Sequence, residues 1–186
     1  WDKRQLVKKI NLNSLYGALG NQYFRYFELR IAEGITLSGQ LSIKWAEKAM
    51  NEYLNKMLKS DEDYVIAIDT DSLYVDMNPL VKAVNPKDPV SFIDKACEEK
   101  IVPMLAKSYE KMNDRLSGFE NRMVMAREAI ADKGIWTAKK RYILNVHNNE
   151  GVQYAEPKLK VMGIEAVKSS TPQIVRDKFK KAYSLM

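Results

Sequence analysis

Asp69-Thr70-Asp71-Ser72 lies between two short apolar runs, Tyr64-Val65-Ile66-Ala67-Ile68 and Leu73-Tyr74-Val75, and no other stretch constrains the fold as tightly. Runs of this length, rich in β-branched and aromatic residues and separated by turn formers, predict two strands joined in a hairpin. Two carboxylates two residues apart at such a join project to one side and face one small volume of space. Like charges that close repel unless a cation lies between them. Hard oxygen ligands of this kind suit Mg²⁺ or Mn²⁺ bound together with a substrate phosphate. The alternative is an acidic, solvated turn, because Asp and Ser are ordinary turn residues.

A second pattern stands upstream in Lys8-Lys9-Ile10-Asn11-Leu12-Asn13-Ser14-Leu15-Tyr16-Gly17. On a helix, Lys9, Asn13 and Tyr16 fall four and three residues apart, so an ammonium, an amide and a phenol line one face. The cation can reach a triphosphate and the ring can pack on a sugar or base, while Gly17 leaves room for another backbone or a base pair. A polar helix stripe ending at a glycine is the competing reading.

With 186 residues and 46% hydrophobic content, the chain can bury the core of one compact domain, or form a large piece of a bigger one. One cysteine, Cys97, excludes an internal disulfide framework and reads as a buried small hydrophobe in a reducing compartment. His147 has no second His or Cys with which to hold a metal. No apolar stretch approaches the roughly 20 residues needed to cross a bilayer, and the start lacks a signal-peptide pattern. The expectation is a soluble protein of the cytoplasm, that of a host cell if the source is viral, with no membrane partner.

The formal charge of +6 is unevenly placed. Residues 136–186 carry 10 basic and 4 acidic residues, whereas residues 1–135 carry 20 of each, so the whole excess belongs to the last quarter. A basic segment beside an acidic metal centre is what a phosphodiester enzyme needs. An ordinary solvated helix face would look similar.

Along the chain, residues 3–19 read as a helix ending near Gly17 to Gly20, and apolar residues at helical spacing from Ile31 to Leu58 predict a long, largely buried helix. Pro79, Pro86 and Pro89 punctuate a loop. Ser91 is the expected N-cap of a helix reaching about Met112, which Pro103 should kink or divide. Arg122–Ile130, Lys139–Val146 and Gln153–Val161 read as antiparallel strands joined at Asp132-Lys133-Gly134 and Asn148-Asn149-Glu150-Gly151. Thr171 as N-cap and Pro172 at the first helical position open a last helix. This order predicts an α+β fold, a mainly antiparallel sheet with helices on one face.

Lys9-x-x-x-Asn13-Ser14-x-Tyr16-Gly17 followed by Asp69-Thr70-Asp71-Ser72 resembles the second and third polymerase motifs of family B DNA polymerases. The strings Asn13-Ser14-Leu15-Tyr16-Gly17-Ala18-Leu19-Gly20-Asn21, Thr137-Ala138-Lys139-Lys140-Arg141-Tyr142 and Ala155-Glu156-Pro157-Lys158-Leu159-Lys160 resemble the T-even-type bacteriophage members. The likeness spans nearly the whole chain. It implies a polymerase palm over 21–170, a stub of the fingers carrying the nucleotide motif over 1–20, and over 171–186 the start of a helix leading toward a thumb.

The resemblance also implies roles. Asp71 and Asp69 are the expected metal ligands, Asp71 bridging two Mg²⁺ or Mn²⁺ ions and Asp69 nearer the primer terminus or in the outer shell. Glu128 falls where phage relatives carry a further carboxylate near the metals, although a surface ion pair would suit the same residue. In two-metal nucleotidyl transfer the ions stand roughly 3.5–4 Å apart, activate the 3′-hydroxyl and stabilise the leaving pyrophosphate. Lys9, Asn13, Tyr16 and Gly17 would receive the deoxynucleoside triphosphate. Lys139, Lys140, Arg141, Tyr142 and Lys168 would hold primer-template DNA through its backbone and minor groove, without reading sequence.

This chain departs from the family pattern at Ala67-Ile68, where Tyr-Gly usually precedes the Asp-Thr-Asp, and at Ala126, where phage relatives carry an Asp. No segment matches the first polymerase motif, a strand-borne Asp near a Ser-Leu-Tyr-Pro type turn. With Trp1 as its first residue, the chain is expected to be a palm-core fragment, inactive alone and completed by portions carrying that motif, an exonuclease and a thumb. A non-catalytic duplex-binding module is the alternative function. A metal-dependent nuclease ranks below both, since DNA hydrolysis has no use for the Lys9-Asn13-Tyr16 face.

Overall fold

A computed structural model describes residues 2–185. Trp1 and Met186, the outermost residues of the two terminal segments, lie outside the described residues. Helix α1 (Asp2–Leu19) and helix α2 (Leu29–Leu58) are joined by a run of tight turns. Glu28 caps α2 by accepting from the Arg30 amide, and Lys59 ends it in the left-handed conformation at φ 53°. α2 is not buried throughout, contrary to its apolar periodicity. Ile31, Ile35, Leu37 and Leu41 are exposed, and apart from Ala32 its buried residues fall between Ser42 and Leu54, with Ala46, Met50 and Leu54 in the main core.

The hairpin follows as predicted, with β1 (Val65–Ile68) antiparallel to β2 (Leu73–Val75). Ile68 pairs with Leu73, so the strand holds to the edge of the acidic turn despite the Ala67-Ile68 departure. Asp69 to Ser72 form a four-residue loop closed by the Asp69 amide donating to the Ser72 carbonyl at 3.0 Å. Both carboxylates are therefore set by that loop rather than by strand alternation.

Next come α3 (Asn78–Val84), α4 (Pro89–Ala96) and α5 (Val102–Arg115). The proline-punctuated stretch is thus not all loop, because Pro79 occupies the first turn of α3, where its missing N–H costs nothing. The cap of α4 is Asp88 and not Ser91. Its carboxylate accepts from the amides of Val90 and Ser91, and Pro89 opens the helix. Between α4 and α5 the backbone widens into a π turn, Cys97–Ile101, which ends two residues before Pro103. A proline ring clashes with the carbonyl four residues back and leaves it without a donor, and the wider turn accommodates both. The expected break at Pro103 takes this form.

The second sheet contains β3 (Ala129–Ala138), β4 (Arg141–Asn149) and β5 (Val152–Met162) in the order β3-β4-β5, all antiparallel. A 3-10 turn (Glu165–Val167) and α6 (Gln173–Tyr183) complete the described chain, with Pro172 rather than Thr171 at the N-cap. β3 begins seven residues later than predicted. Local contacts stand there instead, Asn121 Oδ1 accepting from the Met123 amide while the Arg122 side chain pairs with that of Glu120. Asp132-Lys133-Gly134 is no turn but an irregular stretch inside β3, where Asp132 accepts from the Asn145 amide group across the ladder at 2.8 Å. The hairpin turn is Lys139-Lys140. The architecture is α+β, with two antiparallel sheets in place of the single one expected.

Strand alternation sets the layers. Leu73 and Val75 point from β2 into the helical core of Met50, Leu54, Leu105, Tyr109 and Met112, whereas Tyr74 between them faces the second sheet and joins Trp136, Tyr142, Leu144 and Val146. The acidic hairpin is wedged between the two cores. Trp45 ties α2 to α5 by donating its indole N–H to the Ser108 carbonyl at 3.0 Å.

Candidate nucleotidyl-transfer site

The two hairpin turns meet. Lys140 reaches from the β3–β4 turn to the β1–β2 turn, its Nζ 3.4 Å from Asp69 Oδ1. The same oxygen accepts from the Thr70 amide at 2.8 Å and from the Thr70 hydroxyl at 3.3 Å. The Thr70 amide, with lesser help from Lys140, lowers the Asp69 carboxyl below its ordinary range against the opposing effect of burial. Asp71 is exposed, and among the described residues its carboxylate has no hydrogen bond or ion pair.

Beneath the turns Tyr74, Trp136 and Tyr142 form an aromatic cluster. The Tyr74 ring lies 5.4 Å from Trp136 and 5.3 Å from Tyr142 between centroids. Tyr142 is buried, and that burial, then a hydrogen bond with Tyr74 and the charges of Glu128 and Asp69, raises its phenol above the ordinary value. Glu128 and Asp69 are thus both within electrostatic reach of one hydroxyl. The Glu128 carboxylate itself is held by Lys160 Nζ at 2.5 Å.

Of the predicted DNA-binding residues, Lys139, Lys140 and Arg141 are exposed around the β3–β4 turn. Glu165 draws Lys168 to the same place, 2.9 Å from Lys168 Nζ and 3.6 Å from an Arg141 nitrogen. Lys140, Arg141 and Lys168 are therefore neighbours on one surface, although the last two are 27 positions apart in the chain. Tyr142 stands apart, as a core residue.

Lys9, Asn13, Tyr16 and Gly17 lie exposed on α1, and nothing within 4 Å would meet a Cβ at Gly17. α1 rests on α2, and among the described residues no hydrogen bond or ion pair joins this face to the acidic turn. The sequence reading brought no role to Tyr74, Trp136, Arg127 or Lys160. For the two aromatics a signal existed, each lying within four residues of a motif residue on a strand whose alternation turns it toward the other hairpin.

Asp69 and Asp71 are hard oxygen donors, one partly screened by an ammonium and one free, and such a pair fits an oxygen-loving divalent ion. Among the described residues no group of three or more His, Cys, Asp or Glu side chains gathers in a metal-binding arrangement. The pair by itself would fill only part of a divalent ion's coordination sphere. Among those residues, too, no helix is long and apolar enough to cross a membrane.

The family model for DNA polymerase family B matches residues 1–186, and the chain belongs to that family. It is 43% identical to the DNA-directed DNA polymerase of Escherichia phage RB69 over 98% of this chain and 22% of that protein. It is 44% identical to the DNA-directed DNA polymerase of Enterobacteria phage T4 over 93% of this chain and 21% of that protein. A DNA polymerase beta of African swine fever virus is 27% identical over 94% of this chain. The chain spans about a fifth of the length of the phage relatives it matches.

Proposed function

We propose that these residues are the palm core, with part of the fingers, of a DNA-directed DNA polymerase that extends a primer 3′ end by two-metal nucleotidyl transfer. The observation that carries the reading is the meeting of the β1–β2 and β3–β4 turns. It sets a pair of carboxylates fit for Mg²⁺ or Mn²⁺ beside a cluster of cations fit for phosphate. In this reading Asp71 and Asp69 hold metal, Glu128 adds negative charge nearby, and the ions supply activation of the 3′-hydroxyl and neutralisation of the leaving pyrophosphate. Lys9, Asn13, Tyr16 and Gly17 receive the nucleotide on α1. Lys139, Lys140, Arg141 and Lys168 grip primer-template backbone, and Tyr142 supports them from below.

Residues 1–20 serve as the fingers stub, 21–170 as the palm and 171–186 as the approach to a thumb. Because the chain spans a fifth of its phage relatives, primer extension is proposed of the assembled enzyme. The test mixes the chain with a polypeptide carrying the first carboxylate motif, exonuclease and thumb, and follows primer extension in Mg²⁺. Extension should return and be lost with Asp71→Asn. A well-folded pair that stays inactive, or activity that survives Asp71→Asn, overturns the reading, the latter in favour of a duplex-binding module.

A further inference from the structure

The Lys140 ammonium stands where two different ligands need something it holds. It pairs with the Asp69 carboxylate at Oδ1, a carboxylate that a divalent ion would share with Asp71, and it belongs to the turn whose other cations, Lys139 and Arg141, face solvent. Its side chain is 71% exposed against 32% for Asp69, so the pair is open to solvent and readily exchanged. The backbone beneath it is fixed. Lys140 is left-handed at φ 61°, and Gly163 packs directly against its carbonyl, so a change of partner requires only side-chain rotation. Asp69 keeps its Thr70 hydrogen bonds whichever cation it faces.

The geometry points to Lys140 as a coupling residue, a placeholder cation on Asp69 that an incoming divalent ion displaces onto the DNA backbone. This rests on the metal reading of the acidic turn given above. The consequence is reciprocal linkage: metal at Asp69 releases a cation to DNA, and DNA that captures the cation opens Asp69 to metal, each raising the other's affinity by the same factor. An exposed ion pair supplies only a modest part of that factor, about two- to fivefold. Lys139 precedes it in sequence, is also exposed, and among the described residues has no ion pair, so it can contribute to DNA affinity without the coupling.

The test measures Mn²⁺ binding by electron paramagnetic resonance with and without a primer-template duplex, and duplex binding with and without Mn²⁺, for the chain and for Lys140→Met, Lys139→Met and Asp69→Asn. Lys140→Met should bind Mn²⁺ about two- to fivefold more tightly than the parent in the absence of DNA. Its mutual enhancement of metal and duplex should shrink by the same factor, while Lys139→Met weakens duplex binding with the enhancement intact. Unchanged Mn²⁺ affinity in Lys140→Met, or equal loss of enhancement in both lysine variants, overturns the proposal while Asp69→Asn still weakens Mn²⁺. If Asp69→Asn binds Mn²⁺ as tightly as the parent, or the parent binds none even when paired with the polypeptide carrying the first carboxylate motif, the metal reading falls and the coupling falls with it.

Discussion

Gly163 faces the Lys140 backbone so closely that a Cβ added to it would stand 2.1 Å from the Lys140 carbonyl oxygen. Both residues are left-handed, at φ 66° and 61°. Gly163→Ala therefore incurs strain in the backbone and a clash with a main-chain atom that cannot rotate away. We expect a loss of at least about 2 kcal/mol in urea unfolding, with unchanged m-value. A substitution within about 0.5 kcal/mol of the parent would mean that the β3–β4 turn is not seated on Gly163.

Arg127 and Asp94 form an ion pair between the segment before β3 and helix α4, with side-chain exposures of 10% and 27%. Arg127 also donates to Asn148 Oδ1 at 2.8 Å, so one guanidinium fastens α4 to β4. Arg127→Met should cost about 3 kcal/mol by leaving a half-buried carboxylate without its cation. The double variant Arg127→Met, Asp94→Leu should cost less than the two single losses added together. Additive losses in thermal or urea unfolding would show that the pair contributes no mutual stabilisation.

Burial raises the Cys97 thiol to about 11 from an ordinary 9.0. The folded chain keeps a proton that the unfolded chain releases above 9.0, so this contribution is fully present below that pH and is lost as pH rises toward about 11. The difference in stability between the parent and Cys97→Ala should narrow across that interval. Iodoacetamide at pH 8 should label Cys97 at the rate of global opening, and labelling at the rate of a free thiol would contradict the burial.

Asp69 titrates below its ordinary 3.8 chiefly because the Thr70 amide donates to it, with Lys140 a smaller influence. A carboxylate depressed in this way stabilises the fold above the unfolded value, and the contribution is lost as pH falls through the lower folded value. A carboxyl-carbon NMR titration should place the Asp69 midpoint below 3.8 in the parent and keep it below in Lys140→Met. Return to the ordinary value in that variant would make the lysine, not the turn amide, the main cause.

The elements with strong period or turn chemistry were legible in the sequence. The β1–β2 hairpin, the length of α2 and the strand Gln153–Val161 follow from alternation and helical spacing. The start of β3 was not, because 122–128 has the apolar pattern of a strand while Asn121 and Arg127 commit it to local and α4 contacts. The β3–β4 turn was hidden for a different reason. A lysine occupies the left-handed position where glycine or asparagine would signal a hairpin, and the apparent turn signal Asp132-Lys133-Gly134 lies inside a strand. At the site, residue types exposed the carboxylates and the basic run, but their meeting depends on the packing of Tyr74 against Trp136 and Tyr142, which spacing along the chain does not encode.

Among the described residues no backbone hydrogen bond crosses from the two-stranded to the three-stranded sheet, and three rings make the seam between them. Edge-on and tilted ring contacts shift at little cost where a ladder of amides would have to break. The acidic and basic turns can accordingly close or part by small tilts, and the Trp136 indole, lying in the seam, gives that motion an intrinsic fluorescent reporter.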